Sequence, residues 1–310
     1  MSSLVPKIPY SNENFQKINK HLLSLQRKKS STFWESRRHD QHTVPSQDFG
    51  LLEISGLYKS SAVKPSLLTL TRSKRFPLWI HFKPRHHIHR TYRRRYSSQI
   101  PQKLKDHFSE YDLSKAWYVL DIMERFQIKP KEVLEIGGGV GLVGLAIRSK
   151  IHDVNYVDID LNEMLPSATM LALMMELPNK LELIEDGFKV GNSKFINNAN
   201  LPNTIFDVGI NMTSFQEMDN EQISEYMTYL SSAIRPGGFF ISINRDTKIS
   251  HELKLHFSHK EIPWPSEFKE IYSEESIFSK YSGRKITIST KVLINSEITY
   301  SGRGAPDDFN

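Results

Sequence analysis

Residues 133 to 144, Val-Leu-Glu-Ile-Gly-Gly-Gly-Val-Gly-Leu-Val-Gly, have the pattern of a nucleotide-binding turn. An apolar run contains Glu135, glycines follow at Gly137, Gly139 and Gly141, and the next apolar segment has the composition of a helix. Glycines let the backbone approach a ligand where a Cβ would collide, and a helix N-terminus offers unpaired N–H groups. The segment therefore predicts a strand, a tight turn and a helix start, with these four residues as cofactor contacts.

Glu135 distinguishes between the nucleotides that such a turn could hold. Gly139-x-Gly141-x-x-Gly144 satisfies the dinucleotide pattern, so the glycines alone are compatible with NAD. An anionic side chain two residues before Gly137 would repel a pyrophosphate, whereas it suits the amino group and the sulfonium of S-adenosylmethionine. We therefore favour S-adenosylmethionine as the cofactor. A dinucleotide site and a glycine turn that serves only packing are the alternatives.

Strands and helices alternate along the chain from Ser114 onward and predict the framework around this turn. The sequence predicts helices over 114–129, 163–175 and 221–234, and strands over 133–136, 154–160, 181–184, 206–211, 239–244, 267–272 and 285–293. Such alternation implies βαβ units around a parallel sheet. We expect an α/β fold, a Rossmann-like sheet with helices on both faces.

The chain of 310 residues divides into a basic front part and an acidic remainder. Residues 1–100 hold 19 Lys and Arg against 5 Asp and Glu, whereas residues 101–310 hold 22 against 30. We therefore expect three parts. These are a basic, mainly helical or irregular accessory region on the substrate side (1–101), a folded domain (102–300) and a tail (301–310).

The composition excludes several classes of function. The chain has no cysteine, which removes disulfides, thiolate-ligated metal sites and thiolate nucleophiles. No apolar stretch approaches the roughly 20 residues that a membrane span needs, and the N-terminus lacks the pattern of a signal peptide. We therefore expect a cytoplasmic protein with no transmembrane segment. Peripheral contact with a membrane is compatible with this expectation.

The densest basic run, residues 83–95, allows several interpretations. His86, His87 and His89 could bind a metal, but they lack the cysteine or acidic partners that such sites use. Arginines and lysines interleaved with Tyr92 suit nucleic acid. They equally suit an anionic membrane face or a phosphate-bearing or lipid-linked glycan. A solvated linker is the structural alternative.

Three segments after the glycine turn give the chain a family resemblance. They are 207–218, which contains Ser-Phe-Gln-Glu-Met, then Arg-Pro-Gly-Gly at 235–238, and 238–245, which ends in Ile-Asn-Arg. Together with the glycine turn and an acid that closes the second strand, they resemble class I S-adenosylmethionine-dependent methyltransferases. More narrowly, they are similar to the sugar O-methyltransferases of bacterial surface-polysaccharide gene clusters. The resemblance covers residues 105–295 and implies a class I methyltransferase sheet.

The resemblance implies further cofactor contacts at the ends of the predicted strands. An acid after the second strand would accept hydrogen bonds from the ribose hydroxyls. Asp160 matches the register of the family, whereas Asp158 would suit the dinucleotide register. Asp186, after the predicted third strand, is expected to contact adenine. Asn211 and Ser214 are expected at the mouth of the fourth strand, near the transferred methyl group.

O-Methylation of a sugar hydroxyl requires a base that removes the hydroxyl proton. Glu217 and His251 are the candidates that we place in the site, and His256 and His259 are further candidates because histidine titrates in the useful range. Arg245 could clamp a sugar or a phosphate, or pair with a neighbouring acid. No ligand spacing is diagnostic of a metal, so we predict no metal site.

These residues lead to one expected function and two alternatives. We expect an S-adenosylmethionine-dependent O-methyltransferase that acts on a sugar hydroxyl in surface polysaccharide or glycan biosynthesis. The alternatives are a ribose 2′-O RNA methyltransferase that uses the basic N-terminal region, and an NAD-dependent oxidoreductase. Asn-Met-Thr-Ser at 211–214 stands where amine-directed nucleic-acid methyltransferases have Asn/Asp-Pro-Pro-Tyr, and the absence of cysteine excludes cytosine C5 chemistry.

Overall fold

The structure, a computed structural model, describes most of the chain from residue 110 onward and short segments before it. The described residues are 7–9, 12–25, 43–45, 51–54, 110–175, 180–250, 255–276, 279 and 287–296. Four features of the sequence lie outside the described residues. They are the domain boundary near residue 101, the basic run 83–95 with His86, His87 and His89, the candidate base His251, and the tail 301–310.

The described elements follow one another in a regular order. They are β1 (Lys7–Pro9), α1 (Asn12–Leu22), β2 (Thr43–Pro45), β3 (Leu51–Ile54), α2 (Glu110–Arg125), β4 (Glu132–Ile136), α3 (Leu142–Lys150), β5 (Asn155–Asp160), α4 (Leu165–Met175), β6 (Leu181–Ile184), β7 (Gly187–Val190), β8 (Ser193–Asn197), β9 (Phe206–Met212), a 3₁₀ turn (Phe215–Glu217), α5 (Asn220–Ala233), β10 (Ile234–Arg245), β11 (Thr247–Ser250), β12 (Leu255–Ser258), a second 3₁₀ turn (His259–Glu261), β13 (Phe268–Glu275) and β14 (Ile288–Asn295).

A large, mostly parallel sheet forms the centre of the described part of the chain. Its strand order is β13-β14-β10-β9-β4-β5-β8-β7-β6, and the five central strands from β10 to β8 pair in parallel. The chain moves outward from β4 through β5 to β8, then returns to β9 and β10 on the other side of β4. This reversal opens a crevice at the carboxyl ends of β4 and β9, the place where open α/β sheets bind ligands. The predicted α/β fold is confirmed.

Helices cover both faces of the sheet, as expected. Val133 and Leu134 are neighbours on β4 and point to opposite faces, because side chains alternate along a strand. On the face of Val133, α2 and α3 bury residues such as Trp117 and Leu145. On the face of Leu134, α5 buries residues such as Leu230. Burial on both faces explains why the central strands are nearly continuous apolar runs.

Helix α5 and strand β10 follow one another directly, whereas the sequence predicted a helix that ends at residue 234 and a strand that begins at residue 239. The helix begins at a capping box, in which the backbone N–H of Asp219 donates to Gln222 Oε1 at 3.2 Å. It ends at Ala233, and β10 begins at the next residue. Arg-Pro-Gly-Gly at 235–238 is an irregularity inside β10, where the pairing with β9 shifts register and Gly237 adopts a φ of 73°.

The predicted third strand is wrong in its place in the sheet. Residues 181–184 do form a strand, β6, but it lies at the outer edge and pairs antiparallel with β7. The third parallel strand is β8 (Ser193–Asn197), which pairs with β5. Two short hairpins therefore stand where one strand was expected, and Asp186 lies in the turn between β6 and β7.

The N-terminal segments add a small sheet and one helix. The strands β1, β3 and β2 pair antiparallel in that order, so this region is not only helical or irregular. Helix α1 lies beside β6 and β7, where His21 Nε2 is 2.7 Å from the carbonyl oxygen of Ile184. Among the described residues, no helix is long and apolar enough to cross a membrane.

Candidate active site

A cleft lies at the crevice between β4 and β9, over the carboxyl ends of β4, β5 and β9. It is bordered by the glycine turn after β4, the end of β5, the loop after β9, and side chains from α2 and α5. Its lining residues are Lys115, Glu135, Gly137, Gly138, Gly139, Val140, Leu142, Val143, Ile159, Asp160, Leu161, Met164, Asn198, Met212, Thr213, Ser214, Glu217, Met218, Gln222 and Tyr226. Six residues that the sequence placed in the site are thus brought together: Glu135, Gly137, Gly139, Asp160, Ser214 and Glu217.

The three glycines of the turn that were predicted as cofactor contacts have different roles. Gly137 has a φ of 72°, and a Cβ there would lie 2.2 Å from Ser214 Oγ, so this glycine permits the close approach of two loops. Gly139 has a φ of 62°, and a Cβ there would meet no atom within 4 Å, because its open side faces the cleft. Gly141 is the N-cap of α3 with a φ of 72° and packs near Phe195, outside the cleft lining. The structure gives Gly141 a role in the turn, and its cofactor contact stays a prediction.

Three carboxyl groups lie on one face of the sheet beside the cleft. Tyr156, Asp158 and Asp160 alternate along β5 and so share a face. In the parallel pairing Glu135 lies opposite Asp158, which places its side chain on the same face. Glu135 and Asp158 are buried, with exposed fractions of 2% and 0%. The polar groups of two neighbouring strands are therefore concentrated in an environment that has little water.

Burial and mutual repulsion disfavour the charged forms of these acids. Burial raises the pKa of Glu135 to about 7, although its Oε2 accepts a hydrogen bond of 2.6 Å from the Tyr156 hydroxyl. The pKa of Asp158 lies well above its ordinary value, first through burial and then through repulsion by Asp160 and Glu135. Burial also raises the pKa of Asp160 to about 6. No ion pair within 4.0 Å joins any of the three to a described basic side chain.

Two N–H groups of the glycine turn are already used by these acids. The Gly138 N–H donates to Asp158 Oδ1 at 3.0 Å, and the Gly139 N–H donates to Asp160 Oδ2 at 2.6 Å. In dinucleotide-binding turns such groups and the following helix N-terminus face the pyrophosphate. Here they are occupied by carboxylates, and Glu135 adds a further acid. The cleft is therefore suited to a cationic ligand and poorly suited to an anionic one.

The opposite wall of the cleft is the loop after β9. Thr213 lines it with a φ of 64°, which is an outlier for a β-branched residue and costs of order 1–3 kcal/mol. Its backbone N–H donates to the carbonyl oxygen of Ile243 at 2.7 Å, which ties the loop to β10. Ser214 Oγ donates to the carbonyl oxygen of Ile136 at 3.0 Å. The strained residue is thus held between two strand ends at the cleft.

Asn211 supports this loop instead of lining the cleft, which corrects its predicted role. It is fully buried, and its Nδ2 donates to the carbonyl oxygen of Ile136 at 2.9 Å and to Ser214 Oγ at 2.6 Å. Its Oδ1 accepts from Phe215 N at 3.2 Å and from Asn244 Nδ2 at 2.8 Å. The amide is therefore occupied by partners within the protein and fixes the loop that carries Ser214.

Of the predicted catalytic residues, Glu217 lies in the cleft. It ends the 3₁₀ turn after β9, is partly exposed, and has its Oε1 3.9 Å from Lys248 Nζ on β11. It is also near enough to Asp160 to raise the pKa of that residue. A carboxylate that faces both the cleft and a lysine is a possible proton acceptor for a ligand hydroxyl.

The other catalytic candidates that the structure describes, Arg245, His256 and His259, are not in the cleft lining. Arg245 ends β10, and its backbone N–H donates to Gln216 Oε1 at 3.0 Å. His259 is fully buried between Ser242 Oγ at 2.8 Å and Ser289 Oγ at 2.6 Å, and burial lowers its pKa to about 3. A neutral imidazole enclosed in this way cannot serve as a base near pH 7. His256 is exposed, 4.0 Å from Glu261.

The sheet order places Asp186, for which the sequence predicted an adenine contact, in the turn between β6 and β7. Asp186 is not part of the cleft lining, because two hairpin strands separate it from β5. The residue after the true third strand, Asn198, lines the cleft instead, and its N–H donates to the carbonyl oxygen of Asp160 at 3.0 Å.

Several lining residues were missed by the sequence analysis. Met164 follows closely after Asp160, and that proximity is a signal that could have indicated it. The positions of Lys115 on α2 and Tyr226 on α5 depend on how these helices pack against the sheet. The sequence gives no signal for that packing. Among the described residues, no group of three or more His, Cys, Asp or Glu side chains is arranged to hold a metal ion.

Comparison with known proteins gives likenesses to solved structures only. No protein-family model matches the sequence, and no curated protein matches it. The chain is similar to a phosphoethanolamine N-methyltransferase of Haemonchus contortus solved with S-adenosylhomocysteine, at 14% identity and a TM-score of 0.43, over 57% of this chain and 52% of that one. It is also similar to the magnesium protoporphyrin IX methyltransferase of Synechocystis solved with S-adenosylmethionine, at 16% identity and a TM-score of 0.42, over 60% of this chain and 80% of that one. The chain spans about half the length of the first protein, and both likenesses concern the fold.

Proposed function

We propose that the protein is an S-adenosylmethionine-dependent methyltransferase. The observation that carries the proposal is the cluster of Glu135, Asp158 and Asp160 beside a cleft, without an ion pair to any described basic residue. S-Adenosylmethionine has an ammonium group and a sulfonium, and both charges would be favoured there. The same cluster disfavours the pyrophosphate of NAD, since the N–H groups of Gly138 and Gly139 are occupied.

Individual residues fit the parts of this cofactor. Glu135 lines the cleft and would accept hydrogen bonds from the ammonium group. Asp160 would accept hydrogen bonds from ribose hydroxyls in addition to the backbone N–H groups that it already holds. No atom lies within 4 Å of the position that a Cβ on Gly139 would occupy, which leaves room for the cofactor. When bound, the cofactor would supply an electrophilic methyl group on a positively charged sulfur.

We further propose that the acceptor is a sugar hydroxyl and that Glu217 is its general base. The hydroxyl oxygen would form a bond to the methyl carbon as the carbon–sulfur bond breaks, and the proton would pass to the Glu217 carboxylate. The products are a methyl ether and S-adenosylhomocysteine. Lys248 stands 3.9 Å from Glu217 and favours the ionised carboxylate that accepts the proton. The sugar class rests on the resemblance of residues 207–218 and 238–245 to sugar O-methyltransferases.

The experiment is methyl transfer from radiolabelled S-adenosylmethionine to a panel of free, phosphate-bearing and lipid-linked sugars, with RNA as a parallel acceptor. The proposal expects label in a sugar methyl ether, and a loss of about 10²-fold or more in kcat for Glu217→Gln with unchanged cofactor affinity. Glu221→Gln, which changes an exposed acid of α5 outside the cleft lining, is the matched control for general base loss. Label in RNA alone would overturn the sugar assignment and favour the ribose methyltransferase.

A further inference from the structure

Asp158 is a buried acid that the proposed reaction does not use. It is fully buried on β5 and does not line the cleft, so it would not contact a bound cofactor directly. Its Oδ1 accepts the Gly138 N–H at 3.0 Å, but its Oδ2 is buried with no hydrogen-bond partner. A buried carboxylate oxygen without a partner is costly when charged, whereas a protonated carboxyl is tolerated.

The groups around Asp158 also oppose its ionisation. On its own face it has Asp160 and Tyr156 from β5 and Glu135 from β4. Beyond these, Glu163 and Glu217 lie near Asp160, and Tyr226 of α5 is near enough to Asp158 and Asp160 for them to raise its pKa. Helix α3 contributes a backbone N–H, from Gly144 to Glu135, and α4 has no charged residue. Lys115 of α2 is the described basic residue that lines the same cleft.

We propose that Asp158 holds a proton while the cofactor site is empty and releases it when a cationic cofactor binds, so that cofactor affinity rises with pH. This rests on the proposed function, because the cation is that of S-adenosylmethionine. The sulfonium and ammonium would supply the positive charge that the three acids lack. Asp158 is then a positioning residue: it holds the glycine turn through Gly138 in both states, and its charge follows cofactor occupancy.

Linkage gives the sign and size of the effect. If binding releases about one proton, the association constant rises about tenfold for each pH unit below the point at which the group ionises. Between pH 5.5 and 7.0 we therefore expect S-adenosylmethionine to bind about 10- to 30-fold more tightly. The pH range ends at 7.0 because the amino group of the ligand itself titrates near pH 8.

The experiment is isothermal titration of the full chain with S-adenosylmethionine at several pH values, in pairs of buffers with different ionisation enthalpies. The dependence of the heat on the buffer counts the protons released, and we expect at least one near pH 6.5, because Glu135 and Asp160 can add to the proton of Asp158. Methylthioadenosine, which has neither the sulfonium nor the ammonium, should release fewer. Asp158→Asn keeps an acceptor for the Gly138 N–H and cannot ionise, so it should release about one proton fewer than the unmodified protein and bind with a shallower pH profile. Glu182→Gln, an exposed acid on β6 that pairs with Lys189, is the matched control.

Each outcome bears on a separate statement. Tight binding with no proton release by the unmodified protein would overturn the inference and leave the proposed function in place. An Asp158→Asn variant that releases as many protons as the unmodified protein would overturn the assignment to Asp158. If that variant does not fold, infrared spectra at pH 8, above the pKa of Glu135 and of Asp160, test the same statement in the unmodified protein. The carbonyl band of a protonated carboxyl should then disappear on binding, and its absence from the empty protein overturns the inference. Failure of S-adenosylmethionine to bind at any pH would overturn the proposed function itself.

Discussion

Replacing Glu135 by glutamine should stabilise the empty protein while removing its ability to bind the cofactor. Glutamine has the same shape, and its Oε1 can accept the hydrogen bond that the Tyr156 hydroxyl gives to Glu135 at 2.6 Å. The substitution removes the charge that burial disfavours and replaces one carboxyl oxygen by an NH2 group. It also removes the anion that would hold the ammonium group of S-adenosylmethionine.

The size of the stabilisation follows from the pKa of Glu135. Burial raises this pKa from 4.5 to about 7, so the folded protein binds the proton more tightly than the unfolded chain. The free energy of unfolding therefore falls as the pH rises from about 4.5 to 7. Since each pKa unit corresponds to about 1.4 kcal/mol, the loss above pH 7 is about 3 kcal/mol, which is absent in Glu135→Gln. For a domain of this size we expect the Tm to rise by roughly 6–12 °C at pH 8.

The assay is thermal unfolding of the empty protein at pH 4.5 and pH 8, followed by titration with S-adenosylhomocysteine. The two proteins should unfold at similar temperatures at pH 4.5, and the variant at the higher temperature at pH 8. Glu132→Gln is the matched control on the same strand, because its Oε1 accepts from Asn155 Nδ2 near the surface at 2.6 Å. A Tm difference that is equal at both pH values, or a variant that binds the ligand as tightly as the unmodified protein, would refute the reasoning.

Three further predictions test other parts of the account. Gly139→Ala should lower the free energy of unfolding by only about 1 kcal/mol, because of its positive φ, yet weaken S-adenosylhomocysteine binding at least tenfold. Gly144→Ala should unfold the protein, because its Cβ would lie 2.0 Å from the Tyr156 ring. Denaturant melts measure the change in stability, and calorimetry measures the change in binding. Glu217→Gln should lower kcat and remove the acidic limb of the pH–rate profile, with cofactor affinity unchanged; an unchanged profile would assign the base elsewhere. The pKa of His259 is lowered to about 3, so acid destabilises the folded protein as the pH falls below 6.5. Urea melts should therefore show that His259→Gln loses less stability between pH 7 and 5 than the unmodified protein. An equal loss in both proteins would contradict the burial of His259 as a neutral group.

The centre of the fold could be predicted from the sequence because its signals are local. Strand β4 is a short, largely apolar run between Pro130 and Gly137, and burial on both faces needs that composition. The glycine turn follows from positions at which a Cβ would collide or a positive φ is required. Glu135 and Asp160 could be placed in the site because both stand at strand ends that the crevice brings together.

The errors arose where the outcome depends on tertiary pairing. Residues 181–184 and 193–197 both form short strands, and the sequence does not indicate which one pairs with β5. Asn211 stands at a strand end, as a ligand contact would, but its four partners lie on segments that are distant in the sequence or formed by the loop itself. The strained φ of Thr213 likewise has no signal in its residue type.

The central claim is that the cleft beside Glu135, Asp158 and Asp160 binds S-adenosylmethionine. The most direct measurement is calorimetric titration of the purified full chain with S-adenosylhomocysteine and, separately, with NADH. The account predicts saturable one-to-one binding of S-adenosylhomocysteine, lost in Glu135→Gln, and no binding of NADH. Binding of NADH alone would contradict it and identify the protein as a dinucleotide-binding oxidoreductase.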